Sequence, residues 1–321
     1  MKKEDIYGTI AVVFVILFLI SISLRDIPNL HETKEYRTMQ AEQQKINLIL
    51  DEEKTAESVN ELKLALNDYF VKDAETFYLR ENNEMYFLEG TNDKAILLIH
   101  GLGASPGELR ELGEFLNKQG YSVFGARVEG HGDGITYLES TKWEDWYDSV
   151  EFSYNTLSYM YDDVHVVGIS TGASLAILLS KKHSLSNVKS LVVIAPPIYM
   201  RNKLAIFAPM LKYFKRYIDR ERPDELKSLY NDVLPSESIA QLYEMIKYEK
   251  ECLIRIDTPI LIMQATEDPT VDPRSSKYVY NHIGSKHKEI KWIEDNFHVT
   301  PLGKHKEEVF HSILNFISNF S

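Results

Sequence analysis

An α/β fold, a mostly parallel doubly wound sheet with helices on its faces, is predicted by three features of the 321-residue chain. Short β-branched and apolar runs recur at 94–99, 164–167, 259–264 and 289–293, each bounded by turn-forming residues, which is how buried parallel strands read. One of them hands over through a glycine-rich turn to 173–179, rich in helix formers. The last is followed by 306–320, where Val309, Ile313, Phe316 and Ile317 recur at helical spacing, the mark of an amphipathic terminal helix.

The glycine-rich turn is Gly168-Ile169-Ser170-Thr171-Gly172. A G-x-S-x-G between strand and helix is the nucleophile-elbow pattern. The turn is so tight that a Cβ at either glycine would strike a neighbouring element. The serine hydroxyl then projects from a helix N-terminus, where free N–H groups favour negative charge. Read bare, the pentapeptide is only a turn; its flanking elements and its downstream partners make it a candidate nucleophile.

Those partners follow in the order Ser, carboxylate, His. The run 259–264 ends in Ala265-Thr266-Glu267-Asp268-Pro269-Thr270-Val271. A carboxylate just past a strand reaches the same end of a parallel sheet as the elbow. Asp268 is the choice, with Glu267 and Asp272 as competitors, because a one-residue shift in a loop redirects the side chain. His298 lies between the last strand and the last helix. It is singled out of ten histidines by place alone; His165, His183, His282, His287, His305 and His311 read as surface or packing residues. The three types fit one chemistry. A neutral imidazole takes the serine proton and returns it to the leaving group, while a carboxylate fixes the imidazole tautomer.

Several segments in sequence together resemble the α/β-hydrolase superfamily, and within it the bacterial carboxylesterase and monoacylglycerol lipase group, including serine aminopeptidase-like members. They are Ile96-Leu97-Leu98-Ile99-His100-Gly101-Leu102-Gly103, Leu112-Gly113-Glu114-Phe115-Leu116, Gly120-Tyr121-Ser122-Val123, Gly130-His131-Gly132, Trp143-Glu144-Asp145-Trp146, the elbow, and the loops around Asp268 and Asn296-Phe297-His298. The likeness covers roughly residues 85–320. It implies an α/β-hydrolase fold, a Ser170–His298–Asp268 triad, and an oxyanion hole made by the backbone N–H groups of Leu102 and Thr171. It departs at Thr171-Gly172-Ala173, where relatives commonly have Met or Leu and two glycines, and at Ala265, where many have glycine. Thr171 still offers its N–H. His131 precedes the serine, which breaks the expected order and makes it a structural loop histidine.

The expected organisation has three parts: an anchor at 1–30, a polar helical connector at 31–75, and a catalytic domain at 76–321 with a cap insertion at about 197–257. The cap carries Tyr199, Met210, Tyr213, Phe214, Tyr230 and Met245; the resemblance implies that it covers the active site, and such side chains suit an adaptable apolar pocket. Ile6 to Leu24 holds no charge and as a helix spans about 28 Å, enough for a bilayer core. An uncleaved membrane anchor is preferred over a cleaved signal peptide, with the catalytic domain extracytoplasmic. The connector is either a stalk or a segment docked on the catalytic domain.

A net charge of −12 argues against nucleic acid as a partner and against a basic lipid-binding face. Cys252 is the single cysteine, which excludes an internal disulfide and a cysteine metal cluster. No H-E-x-x-H, P-loop or dinucleotide glycine fingerprint occurs, so no cofactor or metal is expected. The expected activity is hydrolysis of short- to medium-chain carboxylic esters or monoacylglycerols. Peptidase, thioesterase and acyltransferase chemistry use the same triad, and a non-catalytic membrane-tethered binding protein is the alternative outside enzymes.

Overall fold

The computed structural model describes residues 34–77, 79, 83–132, 134–182, 188–202, 210, 213–220 and 224–320. The predicted anchor at 1–30 lies outside the described residues. Among the described residues no helix is long and apolar enough to cross a membrane.

Seven strands make the main sheet: β1 (Tyr86–Leu88), β2 (Lys94–Ile99), β3 (Ser122–Ala126), β4 (Asp163–Ile169), β5 (Val188–Ile194), β8 (Ile260–Ala265) and β9 (Lys288–Ile293); β6 (Tyr217–Asp219) and β7 (Val233–Pro235) pair separately. Their order is β1-β3-β2-β4-β5-β8-β9, with only the edge strand β1 antiparallel. From β2 the chain moves outward to β3, then returns to place β4 on the other side of β2. The order therefore reverses between β2 and β4, and open α/β sheets bind ligands at the carboxyl ends of strands at such a switch point.

Alternation along each strand feeds two hydrophobic layers. Ala95, Leu97, Ile99, Leu191, Val193, Ile260 and Ile262 face one cluster, while Ile96, Leu98, Val192, Ile194, Leu261 and Met263 face the other. This period of two with both faces buried is what a covered parallel sheet requires. In chain order the helices are α1 (Lys34–Leu50), α2 (Ala56–Phe77), α3 (Arg110–Lys118), α4 (Ile135–Ser140), α5 (Trp143–Met160), α6 (Thr171–Lys182), α7 (Ser236–Cys252), α8 (Arg274–His282) and α9 (Lys306–Ser318). α5, α6 and α7 fill the first layer and α3 and α9 the second.

The polar connector forms α1 and α2, which pack on each other and against the catalytic domain. Met39, Ile46, Ile49, Leu62, Leu66 and Phe77 all join its first core layer. Leu64 is 67 % exposed; at two residues from Leu62 and Leu66 it falls on the opposite side of a 3.6-residue helix. Between β5 and β8, where the cap was expected, the described elements are the β6–β7 pair, short 3-10 turns at Asp224–Leu229 and Leu253–Arg255, and α7. Its apolar residues divide: Tyr230, Leu234, Leu242 and Met245 are buried, whereas Met210, Tyr213 and Phe214 stand exposed.

Candidate active site

Ser170 sits between β4 and α6 with φ of 53°, a left-handed conformation that costs a non-glycine residue strain and recurs at functional sites. The backbone holds it there. Its N–H donates to the Ile194 carbonyl at the end of β5 (2.8 Å), and its carbonyl accepts from Ala173 (2.9 Å) and Ser174 (3.3 Å). The two flanking glycines allow the approach. A Cβ on Gly168 would lie 2.2 Å from the Gly172 carbonyl oxygen, and one on Gly172 would lie 2.2 Å from the Ile99 carbonyl oxygen. Ala195 at the next strand end also has positive φ, 50°, and its N–H donates to Met263 O (2.8 Å). Nothing in the sequence marked it, because no local motif surrounds it.

Asp268 and His298 lie in the loops after β8 and β9, at the same carboxyl edge as Ser170. His298 Nδ1 is 2.7 Å from Asp268 Oδ2. A carboxylate only accepts, so Nδ1 carries the hydrogen and Nε2 is left as the acceptor nitrogen. Asp268 is fully buried. Its Oδ1 accepts from the amides of Thr270 (2.8 Å) and Val271 (2.9 Å), and its Oδ2 also accepts from Gln264 Nε2 (3.0 Å). Burial alone would raise its pKa, but the hydrogen bond and charge of His298 with the two amides hold it below the ordinary carboxylate value. The competing acids do other things. Glu267 is exposed, and Asp272 is bound to Arg274 at 2.7 Å.

The loop after β2 lies against the elbow. A Cβ on Gly101 would be 3.3 Å from Ser170 Cβ. Gly103 has φ of 65°, and Ala104 N–H closes the turn onto Gly101 O at 3.2 Å. Leu102 lies in this turn, and Thr171 is the first residue of α6, a position whose N–H has no partner within the helix. Buried Glu108 accepts from Gly101 N–H through Oε2 (2.7 Å) and from the Tyr230 hydroxyl through Oε1 (2.5 Å). Arg220 Nη1 donates to Leu102 O at 2.9 Å, and Asn231 N–H to Gly103 O at 3.0 Å. Arg201 Nε does the same for the Asp268 carbonyl (2.8 Å). Arg201 and Arg220 escaped the sequence reading because each acts on a loop far away in the chain; Tyr230 reads in the sequence only as a cap residue, and Glu108 lies in no recognisable motif.

The rings of His100 and His131 pack at a tilt of 59° with centroids 5.2 Å apart. His100 Nδ1 donates to Gly101 O (2.9 Å) and Nε2 accepts from Val128 N–H (3.1 Å). Burial and the neighbouring His131 lower the pKa of His100 well below the ordinary histidine value. Burial likewise brings His131 down to about 4. Both are neutral packing imidazoles under the site.

This arrangement defines an α/β-hydrolase. The serine aminopeptidase, S33, family model matches residues 90–302, and the chain belongs to that family. It is 30 % identical over 229 residues to a thermostable monoacylglycerol lipase of Bacillus sp. (strain H-257), covering 70 % of this chain and 90 % of the relative. It is 26 % identical over 230 residues to a carboxylesterase of Bacillus subtilis (strain 168), covering 70 % and 92 %. Among solved structures, one from a study of the metagenome-derived lipolytic enzymes LipS and LipT superposes with a TM-score of 0.71 at 24 % identity, covering 75 % of this chain and 99 % of that one. Monoacylglycerol lipase from Paleococcus ferrophilus superposes with a TM-score of 0.63 at 18 % identity, covering 74 % and 98 %. These two likenesses concern the fold.

Proposed function

We propose that this protein hydrolyses carboxylic esters, of short to medium chain or monoacylglycerols, through an acyl-enzyme on Ser170. The observation that carries this reading is the His298 Nδ1–Asp268 Oδ2 contact of 2.7 Å at the sheet edge that also bears the strained Ser170. Ser170 Oγ attacks the acyl carbon while His298 Nε2 takes its proton. The tetrahedral oxyanion is held by the amides of Leu102 and Thr171. Collapse breaks the acyl–oxygen bond, and the alcohol leaves with the proton from His298. Water then adds by the same route and releases the acid. Asp268 holds the imidazole and stabilises its charged form. The substrate class comes from the lipase and esterase relatives.

Residues 1–30 act as a single-pass anchor with the catalytic domain outside the cytoplasm; what supports this is the uncharged stretch from Ile6 to Leu24.

The test is turnover of p-nitrophenyl esters from acetate to laurate, with a monoacylglycerol, an aminoacyl p-nitroanilide and a thioester alongside. Ester turnover is expected to dominate. Ser170→Ala should lower kcat by at least about 10⁴-fold and abolish the fluorophosphonate adduct seen by mass spectrometry. Inertness of the wild-type chain toward every ester would refute the proposal; a preference for the amide would shift it to a peptidase.

A further inference from the structure

The family match begins at residue 90, yet residues ahead of it reach the active-site loops. Asp73 of α2 is fully buried and takes the guanidinium of Arg127 side-on: Nε donates to Oδ2 at 2.8 Å and Nη2 donates to Oδ1. Nη1 of Arg127 donates to the His131 carbonyl at 3.1 Å. The Phe77 ring, also from α2, lies 4.2 Å from the guanidinium carbon. Arg127 is thus fixed on one side by α2 and on the other by the Gly130-His131-Gly132 turn.

From Arg127 the path to the oxyanion loop is short. The next residue, Val128, donates its N–H to His100 Nε2 at 3.1 Å, and His100 Nδ1–H donates to Gly101 O at 2.9 Å. Gly101 O is also the acceptor for the turn that presents Leu102, through Ala104 N–H at 3.2 Å.

Asn83 makes a second, independent connection. It is 4 % exposed. Its Oδ1 accepts from the buried Ser105 hydroxyl at 2.7 Å, and its Nδ2 donates to the Ser228 carbonyl at 3.2 Å. One side chain from outside the matched region therefore bonds both the oxyanion loop and the segment between β6 and β7.

A buried ion pair is a poor stabiliser compared with apolar residues of the same volume; its best-attested value is in fixing geometry. Asp73 bonds Arg127, just past the carboxyl end of β3, and Asn83 bonds Ser105 and Ser228, all of them outside the sheet. We infer that Asp73, on the helical hairpin ahead of the family domain, and Asn83, in the segment that follows it, are positioning residues that hold the Leu102 amide where the oxyanion forms, an assignment resting on the hydrolase function proposed above.

The experiment compares the full chain with Asp73→Asn and Asn83→Ala. Active sites are titrated with a fluorophosphonate, and kcat, KM and melting temperature are then measured per titrated site. The affinity of an alkyl trifluoromethyl ketone is measured too, since its serine adduct carries an oxyanion. The expected result is a kcat per site lowered about ten- to hundredfold, KM changed less than about twofold, and ketone Ki raised in parallel with the fall in kcat. Asn83→Ala removes one small side chain and keeps the question decidable if Asp73→Asn does not fold. A kcat per site and a ketone Ki both within about twofold of wild type overturn the inference, whatever the melting temperature does. A wild-type chain that is neither labelled nor active refutes the hydrolase function, and the inference falls with it.

Discussion

Three acids stand within seven residues after β8, and their side chains meet different fates. Glu267 faces water and Asp272 pairs with Arg274, whereas Asp268 turns inward to His298. The sequence could narrow the choice to this loop but not to one residue, since rotation by one position in an irregular segment redirects the side chain. What settles the geometry is the pair of amides from Thr270 and Val271 on Oδ1, which aims Oδ2 at the imidazole. Asp268→Asn keeps the shape but presents an amide that can donate to Nδ1 and so favours the wrong tautomer. Its kcat is expected to drop about 10³- to 10⁴-fold with KM little altered, measured per fluorophosphonate-titrated site. The folded carboxyl is held below its ordinary pKa. Its contribution to stability is therefore complete above the ordinary value of about 3.9 and lost as the pH falls through the lower folded one.

At the scale of elements, the strands β2, β4, β8 and β9 and the elbow were legible because their signals are local: a continuous apolar run, or five consecutive residues. The paired helices of the connector were legible as helix, but their seat was not. Asp73 and Arg127 are 54 residues apart, and no pattern near either residue announces the other. Asn83 and Ser105 stand in the same relation. The elbow also shows why two elements must come so close. Gly172 lies where α6 starts against the end of β2, and a methyl group there would meet the Ile99 and His100 carbonyl oxygens at 2.2 and 2.5 Å. Neither is the tip of a flexible side chain, so the helix must withdraw. Gly172→Ala is expected to cost about 1–3 kcal/mol or more, read as a lower urea midpoint. It should also lower kcat, because the same displacement carries Ser170 and the Thr171 amide with it.

For the molecule as a whole, the junction of α7 with α6 makes stability depend on pH in a way that no local pattern announces. Glu249 is one of several glutamates in an amphipathic stretch, yet it is fully buried. Burial pushes its carboxyl up to about 7, against the opposing pulls of the Ser174 hydroxyl and the Lys250 charge. Ser174 lies one turn along the helix that begins after Ser170. Between the ordinary glutamate value near 4.5 and the folded value near 7, the folded chain holds a proton that the unfolded chain has released. Stability supplied by this group is therefore complete below the first value and lost as the pH rises through the second. The difference corresponds to about 3 kcal/mol. Glu249→Gln keeps the neutral side chain at every pH and removes this dependence. Titratable groups common to both proteins cancel when urea unfolding of the variant is subtracted from that of the wild type. The difference curve should rise in favour of the variant from pH 4.5 to 7.5 and then level off. A flat difference across that range would mean that Glu249 ionises in the folded chain as it does in water, with the α6–α7 contact opening to admit solvent.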